Sequence, residues 1–307
     1  MYASARNELL TIRDLIRYAV SRFNAAGLVY GHGSDNAYDE AVYLVLFGLH
    51  LPPDTLEPFM DARILREEAA RVLDLLDERV KTRVPAAYLT NEAYLQGHRF
   101  YVDARVIVPR SPISELLNEG LAPWVQDVEA VERVLDMCTG SGCLAILSAL
   151  TFPNAAVDAV DISPDALSVA RRNVDDYHLQ DRLALHAGNL FDALRTSAKN
   201  NGEQTPVYDV IICNPPYVNQ QSMDELPQEF RHEPTLALAG GTDGMDLVRR
   251  IIEDAPHFLT ENGVLVLEIG HERPFFEAAF PHLEPVWLQT ESAGDQLLLL
   301  TRDQFLS

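Results

Sequence analysis

The residues best suited to chemistry are Asn214, Pro215, Pro216 and Tyr217, which end the apolar run VIICNPPYV at residues 210–218. Asn214 brings a side-chain carbonyl, and the missing N–H of proline leaves neighbouring backbone carbonyls free to accept. A planar –NH2 group has two donors for two such acceptors, and the Tyr217 ring offers a face against which a flat group can lie. The pattern therefore points to an amide or amino nitrogen as the reacting group. An amide nitrogen is a weak nucleophile, because its lone pair is delocalised into the carbonyl. Holding both N–H bonds orients that lone pair toward an electrophile, an effect worth roughly 7–11 kcal/mol in favourable cases. A carboxylate in the same slot has no protons to offer, and sites of this kind reject such analogues by about 10⁴-fold or more.

A second constellation lies upstream in DMCTGSGCLAI, where Asp136, Thr139, Gly140, Ser141 and Gly142 form a small-residue loop opening onto a helix. Gly140 and Gly142 permit positive φ and close approach of backbone to a ligand, and the helix start presents free N–H groups. Asp161 follows Gly142 by nineteen residues, at the end of the next apolar run. A carboxylate there can accept both hydroxyls of a ribose. The loop and distal acid fit a nicotinamide dinucleotide or S-adenosylmethionine. Asp136 tilts the choice, since its charge suits a ligand ammonium and not a pyrophosphate. Competing readings are a turn aspartate at 136 and, at 161, a partner for the helix begun by Ser163-Pro164.

These residues need a scaffold. Beyond residue 110, VERVLDM, CLAILSAL, AVDAVDI, PDALSVARRNVDDY, LALHAGNL and YDVIICN alternate strand with helix. Apolar strands alternating with amphipathic helices specify an α/β fold with a parallel sheet covered on both faces. In such sheets ligands bind beyond the carboxyl ends of the strands, so the glycine loop, Asp161 and Asn214 face one crevice. The runs VWLQT and DQLLLLTR are expected to pair antiparallel at the sheet edge, and the polar stretch 195–206 is expected to be an exposed loop. Upstream, Ile12, Leu15, Ile16, Ala19, Val20 and Phe23 recur at helical spacing, with Thr11 to cap and Gly27 to end the helix. Three segments are expected: a helical domain at 1–84, a β-ribbon linker at 85–110 and a catalytic domain at 111–307.

Composition narrows the class. The chain has 307 residues, 47% of them hydrophobic, enough to bury a large core. Against 24 Lys and Arg stand 46 Asp and Glu, a net charge of −22. Such a protein repels phosphate backbones, so duplex DNA binding is not expected and a basic partner or neutral ligand is. Cys138, Cys143 and Cys213 are too few for a disulfide framework or cysteine zinc site, and the histidines show no metal-ligand spacing. With no secretory leader and no run of about 18 apolar residues, the expected location is cytoplasmic.

The motifs DMCTGSGCLAI, VDISPDAL and CNPPYV, in that order, resemble the HemK-like family of protein glutamine N5-methyltransferases. RVPAAYLTNEAYLQGHRFYVDARVIVPRSPISELL and FRHEPTLALAGGTDGMDLVRRI are similar to its linker and to its segment after the Asn-Pro-Pro-Tyr turn. The resemblance spans roughly residues 83–300. It implies a seven-stranded Rossmann-like methyltransferase fold, S-adenosylmethionine as cofactor, and a helical N-terminal domain that recognises substrate. By position, Asp136, Thr139, Gly140, Ser141 and Gly142 would form the cofactor loop, and Asp161 would bind ribose. Asn189 in AGNLF would lie beside the adenine. Asn214 and the Pro215 carbonyl would hold the target amide, with Pro216 and Tyr217 completing the site. Release-factor enzymes of the family usually carry Pro-Arg-Pro-Glu-Thr in the linker and Asp-x-Gly-Thr-Gly in the loop. Pro109-Arg110-Ser111-Pro112-Ile113 and Asp136-Met137-Cys138-Thr139-Gly140 instead look like the branch that modifies a glutamine of the third large-subunit ribosomal protein. The implied partner is that basic protein or a ribosome-assembly intermediate carrying it, ahead of a release factor. Rival readings are a nucleic-acid amino methyltransferase, since adenine also presents a flat –NH2, and a noncatalytic S-adenosylmethionine-binding assembly factor.

Overall fold

The spacing of apolar residues near the N-terminus produces helices in the computed structural model, which describes residues 8–202 and 204–305. Helix α1 (Ile12–Ala26) buries Ile12, Leu15, Ile16, Ala19 and Phe23. It starts from a Thr11–Asp14 capping box and stops at Gly27, whose φ of 57° is left-handed. Helices α2 (Ala37–Gly48) and α3 (Arg66–Thr82) complete its core with Leu44, Val45, Val72 and Leu73. Between them Arg79 donates from Nε to Glu40 Oε1 at 2.8 Å, with neither side chain exposed. Burial pushes the Glu40 carboxyl up, and the Arg79 charge opposes that rise. By contacts this compact unit comprises the chain to Ala93 together with a distant piece, Pro227–His232. Within that piece Glu229 accepts from Arg83 Nη1 at 2.6 Å and from the Val29 N–H at 3.0 Å. Phe230 packs on the His32 ring at 4.2 Å between centroids.

The second unit, Tyr94–Leu226 with Glu233–Ser307, holds the sheet. A ribbon of β1 (Glu92–Leu95) and β2 (His98–Tyr101) turns at Gln96-Gly97, both with positive φ. Strands β3 (Arg133–Met137), β4 (Ala156–Asp161), β5 (Leu183–Ala187), β6 (Tyr208–Cys213), β7 (Leu259–Glu268), β8 (Val286–Leu288) and β9 (Leu297–Thr301) form one seven-stranded sheet. Its order is β5-β4-β3-β6-β7-β9-β8. The first five of these run parallel, and β9 is antiparallel to both β7 and β8. Both faces are apolar, as buried parallel strands require: Val134, Ile212 and Val266 belong to one core, Leu135, Cys213 and Leu267 to the other. Helices α4 (Cys143–Thr151) and α5 (Pro164–Asp176) follow β3 and β4. This is a Rossmann-like α/β fold, with reversal of strand order beside β3 opening the crevice at the sheet's centre.

Residues 195–206 depart from the loop expected of them. Helix α6 (Phe191–Asn201) runs through most of that stretch, because Phe191, Leu194 and Ala198 recur at helical spacing and are buried. Gly202, at φ 71°, ends it. Polar composition concealed a narrow apolar stripe. Among the described residues no helix is long and apolar enough to cross a membrane.

Candidate active site

Strand register assembles the site. Asp136, Ile212 and Val266 are neighbours across β3, β6 and β7, as are Met137, Cys213 and Leu267 one step on. Side chains alternate between faces, so Asp136, Asn214 and Glu268 fall on one face at the carboxyl ends of three adjacent strands. That single geometric fact gathers residues 132 positions apart in sequence.

The loop after β3 is set by backbone geometry. Gly140 and Gly142 adopt φ of 55° and 79°, and Cys138, at φ 63°, is a non-glycine residue in the same left-handed region. An added Cβ would meet Ala170 Cβ at 3.1 Å from Gly142 but nothing within 4 Å from Gly140, whose surface lies open to the crevice. The Thr139 N–H donates to the Val160 carbonyl at 3.0 Å, and Asn173 Nδ2 holds the Ser141 carbonyl at 2.8 Å. Asn173, buried on α5, also exchanges hydrogen bonds with the Tyr101 backbone. Sequence reasoning passed over this brace, since nothing local distinguishes Asn173 from a surface helix residue.

Asp136 is 1% exposed. Its Oδ2 accepts from Thr139 Oγ1 at 2.5 Å, and its Oδ1 has no hydrogen-bond partner. Burial pushes this carboxyl up to about 7, against the pull of the Thr139 hydrogen bond. An orphan acceptor in an apolar setting is costly, and a cationic N–H donor is what would satisfy it. Asp161 sits at the end of β4, where Oδ2 accepts from the Gly140 N–H at 2.9 Å and Oδ1 from the Ser163 N–H at 2.8 Å. Each oxygen keeps a lone pair for a further donor.

The Asn-Pro-Pro-Tyr turn leaves β6 with Asn214 half-buried and both prolines buried. Val218 then bonds to the chain at 238–240, donating to the Leu238 carbonyl and accepting from the Gly240 N–H, each at 2.9 Å. Tyr217 is enclosed by glycines. A Cβ on Gly240 would stand 2.6 Å from Tyr217 Cα, one on Gly244 2.2 Å from the Tyr217 carbonyl oxygen, and one on Gly270 2.4 Å from its ring. The Tyr217 hydroxyl donates to Glu268 Oε1 at 2.9 Å, and burial raises its pKa, helped by the adjacent carboxylate. Gly240→Ala is therefore expected to cost about 1–3 kcal/mol of stability by overpacking against backbone. It should also cut any turnover at Asn214 by at least tenfold. Gly294→Ala, with open space around it, is the control; equal thermal midpoints and rates for the two variants would refute the packing account.

One cavity in this unit is lined by Gly140, Asp161, Asn189, Asn214 and Pro216 among the residues singled out from sequence. Met137, Cys138, Ile162, Leu236, Arg105 and Arg250 complete much of the wall. Asp136, Thr139, Ser141, Gly142, Pro215 and Tyr217 do not line it. Asn189 Oδ1 accepts from Arg250 Nη1 at 3.0 Å. Arg110 does not line the cavity; it forms a two-pronged ion pair with buried Glu233, at 2.6 and 2.8 Å.

The methyltransferase small domain family profile matches residues 114–242. The chain is 70% identical to a ribosomal protein uL3 glutamine methyltransferase of Bordetella pertussis, over 99% of each chain. It is 62% identical to the protein of that name from Burkholderia pseudomallei over 94% of each, and 50% identical to that from Neisseria gonorrhoeae over 100% and 99%.

Proposed function

The chain belongs to the ribosomal protein uL3 glutamine methyltransferase family, and from that premise we infer that it methylates the side-chain amide nitrogen of a glutamine in ribosomal protein uL3. S-adenosylmethionine is the cofactor, and when bound it supplies an electrophilic methyl on a sulfonium. The observation that carries the reading is the shared crevice: the Asn-Pro-Pro-Tyr turn ends the strand adjacent to the one that bears Asp136, with its unpartnered buried oxygen.

The residues present fit such a cofactor. Asp136 Oδ1 would accept from the ammonium of the methionine moiety, the Gly140 backbone would lie close to it, and Asp161 would accept from the ribose hydroxyls. Asn189 and Ile162 would flank the adenine. Thr139, Ser141 and Gly142 hold the loop in shape. Asn214 Oδ1 and the Pro215 carbonyl accept the two N–H bonds of the target amide, fixing its plane and excluding a carboxylate. No strong base is required during attack, because methylation acidifies the nitrogen and the proton can leave afterwards.

In this reading residues 1–84 recognise the substrate, the region 85–110 joins them to the catalytic residues 111–307, and the reaction takes place in the cytoplasm. The net charge of −22 complements a ribosomal protein built to meet RNA phosphates, free or in an assembling particle. The test is incubation of the purified protein with methyl-labelled S-adenosylmethionine and, separately, unmethylated uL3, assembling ribosomal particles, release factors and nucleic acid. Peptide mass spectrometry is expected to place one methyl on a uL3 glutamine. Label confined to release factors moves the enzyme to a sister branch, and label confined to nucleic acid overturns the substrate class.

A further inference from the structure

Glu268 ends β7, one residue beyond the Leu267–Cys213 pair and on the same face as Asn214, and is 4% exposed. A carboxylate buried at the end of a strand needs partners, and Glu268 has two. Oε2 accepts from Ser111 Oγ at 2.5 Å and Oε1 from the Tyr217 hydroxyl at 2.9 Å. Burial pushes the Glu268 carboxyl up, while both hydroxyl donors and the Arg110 charge draw it back.

The neighbours leave the Tyr217 ring little choice of place. Gly270 lies against its edge, Gly240 and Gly244 against its backbone, and only glycine fits at each. Packing limits where the ring can lie, and the hydroxyl bond selects one orientation within those limits. Tyr217 is three residues from Asn214, with two prolines of fixed φ between them, so a displaced phenol is transmitted to the turn. On the other side Ser111 joins the network to PRSPI, the segment in which this sequence departs from the release-factor pattern.

We propose that Glu268 is a positioning residue for amide methylation: its carboxylate clamps the Tyr217 hydroxyl and Ser111, holding the Asn-Pro-Pro-Tyr turn so that the Asn214 acceptor is aimed at the target nitrogen. It touches neither cofactor nor substrate and acts through Tyr217. The proposal rests on the glutamine-methylating reading for its consequence, but not for its geometry.

Two measurements test it on the full-length protein. With ring-labelled ¹³C-tyrosine, the Tyr217 signal, assigned from Tyr217→Phe, is expected to shift and broaden in Glu268→Ala and to return toward the wild-type position in Glu268→Gln. The glutamine amide can accept from the phenol and donate to Ser111 Oγ. In turnover on uL3, Glu268→Ala is expected to lower kcat on the order of 10²-fold, with the Kd for S-adenosylmethionine within about threefold of wild type. Glu268→Gln should recover most of that loss. The double variant Glu268→Ala/Tyr217→Phe should be no slower than the slower single, as residues acting in series require. A Tyr217 signal unmoved by Glu268→Ala overturns the proposal, as do multiplying rate losses in the double variant. If wild-type protein leaves uL3 unmethylated, the reading of function falls, and the ring signal still decides the role of Glu268.

Discussion

Asn214→Ala is expected to reduce methyl transfer by about 10²–10³-fold while leaving the Kd for S-adenosylmethionine within a few-fold of wild type. In the proposed site the removed oxygen would act on the nucleophile, and loss of one preorganised polar contact at a reacting centre costs on this order. Alanine at 214 also leaves the prolines in place, so β6 and the turn still form. Asp161→Ala is the counterpart: losing the ribose acceptor and the brace on the Gly140 N–H should weaken cofactor binding roughly 10- to 100-fold, with kcat near normal at saturation. Calorimetry beside a methylation assay separates the two. Equal loss of cofactor affinity in both variants would sink this division of labour.

Asp136 should tie cofactor binding to pH and oppose stability to function. With its carboxyl raised to about 7 by burial, the protein without cofactor is largely protonated there at pH 6 and largely ionised at pH 8. An ammonium prefers the carboxylate, so the Kd for S-adenosylmethionine is expected to fall about tenfold between those values. The same shift sets the sign for folding. A carboxyl whose folded pKa lies above its unfolded value favours the folded state fully below the unfolded pKa, and that advantage disappears as pH rises through about 7. At pH 8 the buried charge then costs on the order of 4 kcal/mol, at about 1.4 kcal/mol per pKa unit. Asp136→Asn removes that cost, and is expected to unfold several degrees higher than wild type at pH 8 while binding the cofactor about 10- to 100-fold more weakly. Flat cofactor affinity from pH 6 to 8 in the wild type would refute the assignment.

What the sequence disclosed follows from how far each interaction reaches along the chain. The Thr11 cap, the Gly27 stop and the alternation of strand and helix are local, and each is visible within a few residues. Asn214 and Asp161 were legible because strand ends in a parallel sheet converge, so a motif's place in the alternation also gives its place in space. No local pattern marks Glu268: its bond to Ser111 spans 157 positions, and no periodicity reports that. Nor did any pattern reveal the Glu40–Arg79 pair, 39 residues apart and fully enclosed. The glycines at 240, 244 and 270 did carry a signal. Glycine where a side chain would otherwise pack marks close backbone approach, and here all three approach Tyr217.

The six residues Pro227–His232 bear on how this architecture can be recombined. The chain crosses between the two units three times, so no single cut yields two self-sufficient pieces. A fragment beginning at Tyr94 would carry Glu229 and Phe230 with Arg83, Val29 and His32 gone, turning a fully buried carboxylate and its aromatic neighbour out to solvent. Swapping helical units between relatives would likewise succeed only if those six residues were exchanged with them.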